Sequence, residues 1–108
     1  MATSLSKTPI FGLKFLLDKL MEIYIIRHGE TIWNTQNRIQ GQQDSPLTAT
    51  GIEQAENVGK RLQGIHFNIL YSSDLPRAMR TSEIINKYVG LPGITPEPGL
   101  RERHFWRF

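Results

Sequence analysis

Residues 21–26, Met-Glu-Ile-Tyr-Ile-Ile, form a short apolar run that stops abruptly at Arg27-His28-Gly29. Its β-branched residues and length predict a buried strand ending in a polar site. A stretch rich in Gln, Asn and Gly then runs from His28 to Leu47, closed by the turn residues Asp44-Ser45-Pro46. Apolar residues return at helical spacing as Ile52, Ala55, Val58, Gly59 and Leu62. That stripe predicts a helix starting at Thr48, a good N-cap, and running to about Gln63, with Gly64 as its stop. Residues 67–71 read as a second short strand carrying Ile69 and Leu70. Ser72, Ser73 and Asp74 offer caps for a helix over about 75–89, with Pro76 in its first turn and Gly90 and Pro92 ending it. Pro92, Pro96 and Pro98 leave room only for a short strand around Ile94.

Strands alternating with helices imply an α/β fold with parallel strands. The 108 residues are one domain at most, and 39% hydrophobic with 21% charged residues is a globular composition. The net charge of +3 is spread along the chain without a basic run, which argues against nucleic acid as a partner. The chain has no cysteine, which excludes disulfides and thiolate metal sites and fits a cytoplasmic protein. No His, Asp or Glu grouping has metal-ligand spacing, so no metal is expected.

Residues 1–20 differ from the rest. Leu13, Leu16, Leu17 and Leu20 fall at helical spacing and suggest a short amphipathic helix. Gly12, Lys14, Asp18 and Lys19 interrupt the segment, so it suits neither a membrane span nor a secretory signal. It reads as an extension from an upstream start or a tag, with Met21 the working start; an organelle-targeting or docking helix is the other reading.

The chemistry gathers where the first strand ends. Arg27 and His28 set a guanidinium beside an imidazole at a strand's C-terminal end, where open α/β sheets bind ligands. A histidine can attack phosphorus while an arginine neutralises phosphate oxygens. A neutral imidazole would attack through one ring nitrogen while the other donates to a backbone carbonyl that fixes the tautomer. Gly29 lets the backbone approach a phosphate closely.

Five segments stand in an order that resembles the histidine phosphatase superfamily, also called the cofactor-dependent phosphoglycerate mutase family. They are Arg27-His28-Gly29-Glu30-Thr31, Trp33-Asn34 with Arg38-Ile39-Gln40-Gly41, Asp44-Ser45-Pro46-Leu47-Thr48 with Gly51, Ser72-Ser73-Asp74-Leu75-Pro76-Arg77-Ala78, and Leu100-Arg101-Glu102. The likeness runs from Met21 to about Phe105 and implies the N-terminal part of a three-layer α/β/α sandwich with a mostly parallel sheet. It implies His28 as the nucleophile that becomes phosphohistidine, Arg27 and Arg77 as clamps on the transferring group, and Glu102 as general acid, then base. Gly29, Glu30 and Thr31 complete the phosphate-binding motif, with Glu30 also supporting the loop that carries His28. Asn34, Gln40 and Gly41 could donate to phosphate or the rest of the substrate; bonds within their own loop are the alternative. Arg77 could instead be a solvated surface arginine and Glu102 a surface ion-pair partner, and Arg101 and Arg103 would lower a nearby carboxyl unless they point away. Arg80 and His66 read as surface residues, and His104 as a possible pocket neighbour without a catalytic role.

The resemblance also has a gap. Family members continue for about another hundred residues and supply a second active-site histidine, whereas here Trp106 and Phe108 follow the acid segment. Residues 21–108 thus read as a truncated family domain with a smaller core, of marginal stability and weak or absent activity alone. Gln42 stands where glycolytic mutases typically carry tryptophan, which favours hydrolysis of small phosphate monoesters over mutase action. Priming by 2,3-bisphosphoglycerate would be needed only for a mutase, and no other cofactor is implied. The expected partner is a small phosphorylated substrate; an inactive member that only binds phosphorylated ligands is the non-enzyme alternative.

Overall fold

The computed structural model describes residues 12–18, 21–38 and 44–101. Its elements are β1 (Gly12–Asp18), β2 (Met21–Ile26), α1 (Ile32–Thr35), α2 (Ala49–Leu62), β3 (Tyr71–Ser72), α3 (Pro76–Val89) and β4 (Thr95–Pro96), followed by a 3₁₀ turn, Pro98–Leu100. The architecture is α/β. β3 and β4 pair in parallel across α3, as expected of strands joined through a helix.

β1 departs from expectation. Instead of an amphipathic helix, residues 12–18 form a strand antiparallel to β2, with Gly12 opposite Ile26 and Phe15 opposite Ile23. Leu13, Phe15 and Leu17 alternate with Lys14, Leu16 and Asp18, a period of two that competes with the helical spacing of Leu13, Leu16, Leu17 and Leu20. Pairing with β2 satisfies backbone groups that β2 would otherwise leave open along that edge. β2 itself is buried on one face: Tyr24 and Ile26 pack toward the core, while Ile23 and Ile25 remain 38% and 46% exposed. The strand expected over 67–71 is shorter and lies further along the chain, as β3 at Tyr71–Ser72. Thr95 N donates to Leu70 O at 2.9 Å and Glu97 N to Ser72 O at 2.7 Å, and Pro96 between them has no N–H to add.

The core lies between α2 and α3. Ala55, Val58 and Leu62 of α2 meet Ile84 and Ile85 of α3, all buried, and Tyr24, Ile26, Ile52, Phe67 and Val89 pack around them. Tyr24 and Phe67 add an edge-to-face ring pair with centroids 5.0 Å apart. α2 follows its predicted bounds closely. Thr48 caps it by accepting from Gly51 N at 3.0 Å, and Gly64 beyond its end takes a left-handed φ of 91°.

α3 ends as expected, with Gly90 at φ 79° and its N–H on Asn86 O. Its start differs. The cap position is Leu75, which has no side-chain oxygen, and Ser73 Oγ reaches only Leu75 N, at 3.3 Å. The acceptor for the helix's own first turn is the remote Asp44, whose Oδ1 takes Arg77 N at 3.1 Å.

A polar latch crosses the helix pair. Glu56 of α2 accepts from the Tyr88 hydroxyl and from Lys87 Nζ, the latter at 2.9 Å. The Tyr88 bond, then Lys87, holds the Glu56 carboxyl below its ordinary value, and Glu56 pushes the Tyr88 phenol up. A depressed carboxyl contributes stability above its unfolded value and loses it as pH falls through the folded one. Glu56→Gln should therefore flatten the acid limb of a stability-versus-pH curve measured by urea unfolding, while an unchanged limb would show that the latch contributes nothing.

Candidate active site

The motif loop that follows β2 is held between α2 and α3. Gly29 N donates to Thr81 Oγ1 at 3.1 Å, and the Thr81 hydroxyl donates in turn to Arg77 O at 2.8 Å, within α3. Glu30 N donates to Gln54 Oε1 of α2 at 2.9 Å. Thr48 N donates to Glu30 O at 2.9 Å and its hydroxyl to Glu30 Oε1 at 2.8 Å, so the Glu30 side chain is engaged at the start of α2.

Packing is tight enough to demand glycine on both sides. A Cβ on Gly29 would fall on the Gly51 carbonyl oxygen, and one on Gly51 would fall on the Glu30 carbonyl oxygen. The bare α-carbon of Gly29 thus serves contact with α2, a use distinct from the close approach to a phosphate anticipated from the sequence.

His28 is half-buried, and its Nδ1 lies 2.7 Å from Gly29 O. A carbonyl only accepts, so the proton sits on Nδ1 and the lone pair of the neutral ring on Nε2. Arg27, beside it in sequence, is exposed.

Arg77 is 1% exposed and stands in the first turn of α3, which has no acidic residue of its own and where the helix dipole favours anions. Asp44 Oδ1 accepts both its backbone N–H and, at 3.4 Å, its Nη1. The solvated-surface reading of Arg77 is therefore wrong: the packing of α3 draws it in.

Thr31 is fully buried and caps α1. Its Oγ1 accepts from Asn34 N at 3.2 Å, while Asn34 Oδ1 accepts from Thr31 N at 3.0 Å. Asn34 is exposed, and the loop-internal alternative holds for its carbonyl oxygen. The loop closes on itself through Trp33 N to Ser45 Oγ at 3.1 Å and a Thr31–Leu47 bridge, with Arg38 stacked 3.8 Å over the Trp33 ring.

Gln40, Gly41, Glu102 and His104 lie outside the described residues. Arg101, just before Glu102, is engaged elsewhere: its Nε and Nη2 grip the two oxygens of Asp74, each at 2.6 Å. That fork holds the Asp74 carboxyl below its usual range. Arg80 and His66 are exposed, as their sequence positions suggested. Among the described residues, no cluster of His, Cys, Asp or Glu could hold a metal ion, and no helix is long and apolar enough to cross a membrane.

Sequence reasoning did not single out Thr81, Gln54 or the trans cap Asp44. Asp44 reads as a turn residue and as part of a resemblance segment but not as a cap, and Thr81 and Gln54 carry no signal, since their partners are distant in sequence.

Residues 23–108 match the histidine phosphatase superfamily (branch 1), and the chain belongs to that family. Among curated relatives, the probable phosphoglycerate mutase GpmB of Salmonella choleraesuis is 49% identical over 83 residues, covering 77% of this chain and 38% of its own length. The chain thus spans well under half the length of the curated relatives it matches. Among solved structures, a phosphoglycerate mutase from Bacillus anthracis superposes with TM-score 0.67 at 45% identity, over 70% of this chain and 34% of that one. A phosphoserine phosphatase from Entamoeba histolytica, solved in complex with 3-phosphoglyceric acid, gives TM-score 0.66 at 41% identity, over 74% of this chain and 39% of that one.

The bond from Gly29 to Thr81 can be tested directly. Thr81→Val keeps the shape and leaves a buried amide without its acceptor, at a cost of about 1–3 kcal/mol. Denaturant unfolding should show that loss, with Thr81→Ser recovering most of it; equal stability of Thr81→Val and wild type would contradict the assignment.

Proposed function

We propose that this chain carries the nucleophilic half of a phosphoryl-transfer site that hydrolyses small phosphate monoesters through a phosphohistidine at His28. The observation that carries the reading is the His28 geometry: Nδ1–H donating to Gly29 O at 2.7 Å leaves Nε2 as the nucleophile. In the first step the Nε2 lone pair forms a bond to phosphorus as the bond to the ester oxygen breaks. Glu102 gives its proton to that departing oxygen. Water then attacks the phosphohistidine, Glu102 takes back a proton, and the P–N bond breaks to release phosphate.

Arg27 and Arg77 neutralise charge on the phosphoryl oxygens. Asn34, Gln40 and Gly41 contribute donors around the substrate, whereas the Gly29 N–H is held by Thr81 and its carbonyl orients His28. Glu30 and Thr31 act through the loop, consistent with the bonds of Glu30 to Thr48 and of Thr31 to Asn34. Residues 21–108 form the N-terminal part of the family domain on this reading, with 1–20 as an extension, in a cytoplasmic setting. Both mutases and phosphatases stand among the similar proteins. Gln42, in place of the tryptophan usual in glycolytic mutases, favours water over a second hydroxyl as acceptor.

The test is to incubate the chain with a phosphate monoester such as 3-phosphoglycerate, then quench in alkali and in acid. Acid-labile, alkali-stable phosphate should appear on His28, vanish in His28→Ala, and be released as inorganic phosphate. Transfer to the 2-position of 3-phosphoglycerate would assign a mutase instead. Thermal stabilisation by phosphorylated ligands without any phosphohistidine would contradict catalysis and leave a binding role.

A further inference from the structure

Consecutive peptide units of the motif loop are each held by a different partner. The His28–Gly29 unit gives its N–H to Thr81 Oγ1 at 3.1 Å. The Gly29–Glu30 unit gives its N–H to Gln54 Oε1 at 2.9 Å. The Glu30–Thr31 unit takes Thr48 N on its oxygen at 2.9 Å and gives its N–H to Asn34 Oδ1 at 3.0 Å. The middle unit differs from its neighbours in what its oxygen does: that oxygen is Gly29 O, 2.7 Å from His28 Nδ1. Gln54 and the His28 ring therefore bind opposite edges of a single plane.

A trans peptide is planar, with its N–H and C=O pointing to opposite sides. Turning it about the line joining its α-carbons swings both groups at once, so an acceptor on the N–H dictates where the oxygen points. This plane follows Gly29, whose lack of a Cβ leaves little steric resistance to such a turn. A small cavity bordered by His28, Gly29, Gln54 and Thr81 gives it room. Hydrogen bonding then supplies the restraint that packing does not. The Glu30 N–H can only donate, so the atom of Gln54 that meets it is the carbonyl oxygen. That bond also polarises the peptide unit and makes Gly29 O a stronger acceptor for the ring.

We infer that Gln54 is a positioning residue for His28: by fixing the Gly29–Glu30 peptide plane it sets the orientation of the ring and keeps the proton on Nδ1. The inference rests on the phosphoryl-transfer reading above for the ring's nucleophilic role. Gln54 lies on α2 one turn beyond Gly51, the residue the motif loop packs against. A general tie between loop and helix is the competing role. Thr48 already provides that tie, through its N–H on Glu30 O at 2.9 Å and its hydroxyl on Glu30 Oε1 at 2.8 Å. What Gln54 adds is the hold on the one plane whose oxygen meets the imidazole.

The experiment is ¹⁵N NMR of the His28 imidazole in the full chain, at a pH where the ring is neutral, with urea unfolding of each variant alongside. Gln54→Met keeps the length of the side chain and loses the acceptor. Its Nδ1 and Nε2 shifts should converge toward those of a ring exchanging between tautomers. Gln54→Glu keeps an oxygen for Glu30 N and should retain the wild-type pattern. Thr81→Val frees the neighbouring unit and should move the shifts less than Gln54→Met does. Phosphohistidine formation from 3-phosphoglycerate should slow about tenfold or more in Gln54→Met, with KM little changed. Should Gln54→Met not fold, Gln54→Asn, one methylene shorter, takes its place with the same expectation. Unshifted ring nitrogens in the variant without the acceptor, whatever its unfolding stability, would overturn the inference. Equal or larger movement in Thr81→Val would do the same, since loosening of the loop would then suffice. Loss of the wild-type pattern in Gln54→Glu would also overturn it, because the amide nitrogen and not the oxygen would be what matters. Absence of phosphohistidine in the wild type would contradict the phosphoryl-transfer reading instead, and the ring shifts would still decide whether Gln54 orients His28.

Discussion

Two bare α-carbons set the geometry of this site. Gly29 and Gly51 bring the motif loop and the first turn of α2 so close that a Cβ on either would overlap a carbonyl oxygen of the other segment. Only at that separation do the bonds from Glu30 N to Gln54 and from Thr48 to Glu30 have their short, directed lengths. The loop's other side is fixed by Gly29 N on Thr81 of α3. A backbone pinned from two helices has little freedom left, and the carbonyl of Gly29 is therefore available at a fixed place for the His28 ring. The imidazole's tautomer follows from packing at the next two residues.

The same loop governs the cationic side. It leaves β2 at Arg27, folds through the capped turn of α1, and returns through Asp44 to the start of α3. The α2–α3 core beneath is apolar and continuous, so both helices act as one support for the loop's two ends. Burial of Arg77 is a consequence of that arrangement. In water its charge would be screened, whereas here it sits at a helix start in a low-dielectric setting where an anion is favoured.

Local signals were legible in the sequence and tertiary ones were not. α2 was readable from Thr48 to its glycine stop because cap, stripe and terminator are all near neighbours. Arg27, His28 and Arg77 announced themselves by residue type and context. The segment 12–18 was not decidable locally, since Leu13, Leu16 and Leu17 satisfy the helical period while Leu13, Phe15 and Leu17 satisfy the alternating one, and only the open edge of β2 selects the strand. The cap of α3 was misread for the same reason: Ser72, Ser73 and Asp74 lie at the right place, but Ser72 donates to Ser73 O, Asp74 pairs with Arg101, and the cap arrives from Asp44. Gly29 was correctly marked as special, yet the contact that requires it lies on another element.

The central claim is that the pinned loop fixes the tautomer of the His28 ring, with a proton on Nδ1 and, in the neutral form, the lone pair on Nε2. The most direct measurement is ¹⁵N NMR of the His28 imidazole in the full chain, at a pH where the ring is neutral, with both ring nitrogens assigned through their long-range couplings to the carbon-bound protons. A protonated Nδ1 and a pyridine-like Nε2 shift are expected, with the Nδ1 proton in slow exchange because Gly29 O holds it. A ring protonated on Nε2, or one averaging between tautomers like a free histidine, would contradict the account.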